Sequence, residues 1–115
     1  MALAVYGLKK CSTCQKAEDW LKAHKVAYRF TDVREDGISK EQVQGWMKAL
    51  GGWEKLVNRA GYTWRGIPEA ERTDLTDAKA VKLVLANPSL IRRPLIENGG
   101  QVSVGFSEKV KSALK

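Results

Sequence analysis

Only two cysteines, three prolines and one histidine occur among the 115 residues. Two cysteines cannot build a disulfide scaffold, and together with His24 they fall short of a four-ligand zinc site. No apolar run approaches the roughly 20 residues needed to span a bilayer, which excludes a membrane protein of the helical kind. A secretory pattern is missing at the amino terminus, where Leu3, Ala4 and Val5 are followed at once by Gly7, Lys9 and Lys10. There is no block of like charge, no internal repeat and no low-complexity tract. These absences leave a compact chain of one domain, residues 1–115, expected as a monomer in the cytoplasm, where thiols stay reduced.

What is present supports that class. Hydrophobic residues make up 43% and charged residues 29%, enough apolar surface for a core without covalent staples. The net charge is +7, which raises the question of nucleic acid. Lys alternates with Asp and Glu along most segments, so the pattern reads as a solvated mixed-charge surface with no membrane and no direct nucleic-acid partner. The excess favours a small anionic substrate or an acidic protein partner.

Hydrophobic periodicity divides the chain. Leu3 to Gly7 predicts a short buried strand. Lys9 to Cys14 is a polar loop, and a helix follows from about Thr13 to His24, capped by Ser12 or Thr13, with Ala17, Trp20 and Leu21 at helical spacing. Val26 to Asp32 alternates as a strand would, so residues 1–32 form a β-α-β half. Residues 33–90 read as helix and loop. Ser39 and Gln42 make a capping box, Val43, Trp46, Met47 and Leu50 form the stripe behind it, and Gly51-Gly52 stops that helix. A short helix from Trp53 to about Asn58 follows. Pro68 and Thr76 open two more helical pieces, and Asn87-Pro88 ends the last. Residues 91–115 return to strands around Asn98-Gly99-Gly100, a β-hairpin signal, before a helix capped by Ser107 with Val110 and Leu114 on its apolar face. The expected fold class is α/β: thioredoxin-like β-α-β and β-β-α halves with an inserted helical subdomain.

Chemistry concentrates in Cys11-Ser12-Thr13-Cys14, where the first strand hands over to the first helix. Unpaired amides of a helix's first turn and the helix dipole favour negative charge there, so a thiolate at Cys11 is stabilised. Cys14, one turn on, is close enough to close a small disulfide. Lys9, Lys10 and Lys16 add positive potential. His24 ends the helix far from Cys11 and reads as a favourable cation at the dipole's negative end. Asp32 and Asp36 do not have the spacing of a paired-carboxylate site.

Tyr6 to Ala17, Leu56-Val57-Asn58-Arg59, Asn87 to Leu95 and Val104-Gly105-Phe106 together resemble the arsenate reductase-related (ArsC/Spx) family over essentially the whole chain. Gly61-Tyr62-Thr63-Trp64-Arg65 brings the resemblance closest to the YffB-like branch. It implies a thioredoxin-like fold and a small thiol-dependent oxidoreductase, with Cys11 as nucleophile and Cys14 as the resolving thiol. Glutathione would be a co-substrate with no bound cofactor or metal, and glutaredoxin or thioredoxin would be a possible partner. Arg59 and Arg93 match arginines that hold the substrate oxyanion in the family, and Pro94 matches the cis-proline beside the active cysteine. The forked guanidinium and the low cost of a cis Arg-Pro bond suit those roles. Two departures count. Val104-Gly105-Phe106 has no third basic residue, so arsenate is expected to be a poor substrate or none. Cys14 gives the Cys-x-x-Cys of the Spx regulators, which implies the alternative of a redox-switched transcriptional regulator bound to RNA polymerase.

Overall fold

Residues 3–114 are described by the structure, a computed structural model. Strand β1 (Leu3–Gly7) lies at the centre of a four-stranded sheet ordered β2-β1-β3-β4. Its parallel neighbour is β2 (Tyr28–Asp32), in a register that pairs Gly7 with Asp32. On its other side β3 (Leu95–Asn98) runs antiparallel, and β4 (Gln101–Val104) completes the hairpin beyond it. The tight turn is made by Gly99-Gly100, with Gly99 at a positive φ of 63°. This is the thioredoxin-like α/β arrangement expected from the element order.

The period-two alternation of the strands separates two cores. Leu3, Val5 and Ile96 face α1 (Ser12–Ala23) and α7 (Glu108–Leu114), meeting Leu21, Trp20, Val110 and Leu114. Tyr6 and Leu95 face the opposite way, into a larger cluster. That cluster is supplied by α2 (Lys40–Leu50), α3 (Trp53–Leu56) and α6 (Asp77–Ala86). Two single-turn helices, α4 (Tyr62–Arg65) and α5 (Glu69–Arg72), lie between α3 and α6. No described helix is long and apolar enough to cross a membrane.

Local signals were realised where they are self-contained. Ser39 accepts from the Gln42 amide at 3.1 Å while Gln42 Oε1 accepts from the Ser39 amide at 2.9 Å, and Gly51 ends α2 in the left-handed conformation at φ 93°. Three expectations need correction. The cap of α1 is Cys11 itself, in an extended conformation and without a side-chain cap bond, rather than Ser12 or Thr13. Strand β2 starts at Tyr28, because Lys25 takes a positive φ of 55° and the Val26 amide returns to the Leu21 carbonyl at 2.9 Å. That closure ties Val26 to the end of α1. The middle segment also makes one strand-like contact: Val57 bridges Ile91, flanked by Asn58 N–H to Leu90 O and Arg92 N–H to Leu56 O. This clamp fixes the chain just ahead of Arg93.

Candidate active site at the first helix

The chain leaves β1 at Gly7, turns through Lys9-Lys10 and enters α1 at Cys11. The turn is closed by the Cys11 amide donating to the Leu8 carbonyl at 3.2 Å, and the Cys11 carbonyl accepts from Gln15 at 2.9 Å. Cys11 is partly exposed and Cys14 is buried, and both are free thiols. Burial pushes the Cys11 thiol up, but other groups outweigh it and leave its pKa below the ordinary value. These are the Cys14 amide, the Cys14 thiol, the Arg93 guanidinium and the Thr13 amide. The helix start thus stabilises a thiolate, as its unpaired amides should.

Cys14 has the opposite environment. Burial pushes its thiol up to about 12, against the Leu8 amide, which pulls it down; the neighbouring Cys11 adds to the rise. The Cys11 thiol is therefore the more acidic of the two, and the Cys14 thiol stays protonated at neutral pH. Gly7 makes room for this pair. A Cβ built at Gly7 would meet the Cys14 sulfur, so any side chain there would force the thiol out of its seat.

Arg93 is brought within electrostatic reach of the cysteines, and Pro94 follows it. The Arg93 charge acts on both thiols, its peptide bond to Pro94 is cis, and Pro94 is fully buried with its carbonyl accepting from Gly105 at 2.9 Å. Arg59 is placed differently: it is exposed, with its guanidinium 5.7 Å from the centre of the Trp53 ring. Lys9 lends less free charge than its position suggests, because its ammonium pairs with Glu35 at 2.7 Å. His24 caps the far end of α1 and stacks on Trp20 with centroids 4.0 Å apart. Phe106 packs edge-on against Trp20 at 5.6 Å, with Lys111 over its ring. Among the described residues no group of three His, Cys, Asp or Glu could hold a metal ion.

Sequence reading gave Gly7 no role in the site and set Asp32 aside as lacking the spacing of a carboxylate pair. Gly7 acts by seating Cys14, and Asp32 by a bond to Lys9 across the sheet, and no motif spacing marks either. Asp32 is buried, with 4% of its surface exposed, and accepts three backbone N–H bonds: from Lys9 at 2.9 Å, Arg34 at 2.8 Å and Glu35 at 2.9 Å.

Known proteins share this architecture. The solved structure of a YFFB protein is 44% identical, covers 98% of both chains and superposes with a TM-score of 0.92. An arsenate reductase (ArsC) related protein from Brucella melitensis is 39% identical over 98% of this chain and 93% of its own, with a TM-score of 0.79. A Haemophilus influenzae protein of uncharacterised role is 36% identical over 107 residues, 93% of each chain. More distantly, the global transcriptional regulator Spx 2 of Lactococcus lactis is 25% identical over 108 residues, 93% of this chain and 81% of the regulator. The model of the ArsC family matches residues 6–113. That match runs from β1 to the last turn of α7 and takes in each segment that builds the thiol site, and the chain belongs to the ArsC family.

Proposed function

We propose that this protein is a thiol–disulfide oxidoreductase of the reducing cytoplasm that exchanges electrons with glutathione or a small disulfide. The observation that carries the reading is the split between the two thiols, one half-exposed and acidified at a helix start, the other buried and pushed up to about 12. The Cys11 thiolate attacks one sulfur of glutathione disulfide, forming a mixed disulfide and releasing one glutathione thiolate. Cys14 attacks the Cys11 sulfur and gives its proton to the departing second glutathione, which leaves as a thiol. Two electrons pass from the protein, now carrying a Cys11–Cys14 disulfide, to the glutathione pair. A dithiol partner such as glutaredoxin or thioredoxin would return them. Arg93 holds the anionic part of the substrate beside Cys11, and Arg59 would join it by leaving the Trp53 ring.

The test is trapping. With glutathione disulfide, Cys14→Ser is expected to accumulate a glutathionyl adduct on Cys11, seen by mass spectrometry, while the wild type proceeds to the internal disulfide. An adduct confined to residue 14 in the complementary Cys11→Ser protein, with none on Cys11, would overturn the assignment. Arsenate is expected to turn over poorly. The 104–106 segment offers no cation, and one lost charge-assisted contact of about 1.5–3 kcal/mol corresponds to roughly ten- to a hundred-fold in affinity. Robust arsenate reduction coupled to glutathione would contradict this.

A second reading draws on the relatives named as global transcriptional regulators. In it, oxidation of Cys11 and Cys14 would switch binding to RNA polymerase. Redox-dependent binding to purified RNA polymerase would favour the regulator.

A further inference from the structure

We infer that Asp32 is a positioning residue for the thiol pair, its carboxylate holding the turn that presents Cys11 and touches Cys14. The inference rests on the reading of Cys11 as the nucleophile. Asp32 is the only charged side chain among the buried residues described. Burying a carboxylate is costly unless it is fully hydrogen-bonded, so its three backbone donors need an explanation. One oxygen serves its own turn, accepting from Arg34 and Glu35 two and three residues on. Aspartate side chains commonly cap their own turn in this way. The other oxygen reaches across to Lys9, 23 residues away.

Lys9 is the pivot of the turn whose ends meet through Cys11 N–H and Leu8 O. The same Leu8 supplies the amide that bonds the Cys14 sulfur. Asp32 therefore grips the peptide immediately following the residue that contacts both cysteines. The β1–β2 pairing of Gly7 with Asp32 sets the distance, since Gly7 also forms the floor under Cys14. Asp32 is not a proton acceptor for Cys14. Although burial pushes its carboxyl up, the amides of Lys9, Glu35 and Arg34 more than offset this and hold it below the usual carboxylate range, with both oxygens occupied.

Asp32→Asn is the test. It keeps the shape but replaces one acceptor oxygen by a donor. The pH dependence of Cys11 alkylation is measured in the folded variant. A positioning role is expected to raise the Cys11 midpoint by about half a unit or more, with a roughly three-fold slower reaction at neutral pH. Asp36→Ala is the control: it removes the acceptor of the Asp32 amide, at 3.0 Å, and leaves the Lys9 bond in place, so its midpoint should stay put. If Asp32→Asn does not fold, Asp32→Ser replaces it, because a hydroxyl can cap the local turn but not reach Lys9. An unchanged midpoint together with lost stability would make Asp32 a mere structural cap. A lowered midpoint would mean that its charge acts directly on the thiol. Either result overturns the inference. A wild-type Cys11 midpoint no lower than that of a free thiol would instead overturn the reading of Cys11 itself.

Discussion

Iodoacetamide at pH 7 should label Cys11 about a hundred-fold or more faster than Cys14, even though a buried thiolate is the stronger nucleophile. With its thiol near 12, Cys14 is ionised in only about one molecule in 10⁵ at pH 7. Cys11, lowered from an ordinary value of 9.0, is ionised in more than about one in a hundred. The thiolate ratio therefore exceeds roughly a thousand. Nucleophilicity falls as the pKa falls, with a slope of about 0.4–0.5, which returns roughly twenty- to thirty-fold of that advantage. Access then decides the matter, since Cys14 is 1% exposed and Cys11 opens to solvent. Peptide mapping after brief labelling measures the ratio. Cys14→Ala should in turn slow Cys11, because it deletes the thiol that helps hold the Cys11 anion. Preferential labelling of Cys14 would reverse the roles of the two residues.

Trp46→Ala should cost about 3–5 kcal/mol, a large share of the 5–15 kcal/mol typical of a domain. Trp46 is 2% exposed at the centre of the larger core and meets the Tyr6 ring edge-on at 4.8 Å. The Tyr6 hydroxyl accepts from Gln42 at 3.4 Å, so the same neighbourhood joins β1 to α2. Truncation leaves a cavity that β1 and the helices cannot both collapse into, because each is held by its own hydrogen bonds. Leu50→Ala, at the half-buried end of the same stripe, should cost less than half as much. Urea unfolding gives both values. A single transition is expected, since this core draws on the sheet and on the helical segment together. Two separated transitions would mean that the helical segment unfolds by itself, and a loss below about 1 kcal/mol would remove Trp46 from the core.

The elements legible in the sequence are those whose signals lie within one turn. The Ser39–Gln42 box, the Gly51 stop, the Thr76 cap on Lys79 and the Asn98-Gly99-Gly100 hairpin each span a few residues, and all formed. The misreadings have longer causes. Cys11 replaced Ser12 and Thr13 as the cap because the Leu8–Cys11 turn sets where the helix starts. The four-residue helix α4 has no apolar stripe to announce it. Its Trp64 is seated by stacking on Trp53 with centroids 6.0 Å apart, a contact eleven residues distant. Arg93 and Arg59 were both expected at the anion site, with Arg93 the better ordered; the Val57–Ile91 bridge leads the chain to Arg93 beside the thiols, while Arg59 rests on Trp53.

The order of strand and helix signals was enough by itself to name the class of fold, and the spacing of Cys11-Ser12-Thr13-Cys14 between a strand and a helix was enough to single out the thiol pair. Helix dipoles, caps and alternation act over a few residues and depend little on the rest of the chain. What the tertiary structure decided is how unequal the two thiols are. The burial of Cys14 over Gly7, the charge of Arg93 and the grip of Asp32 on Lys9 all come from residues brought together across the sheet. Charge and burial act through space, and only the folded chain sets those distances.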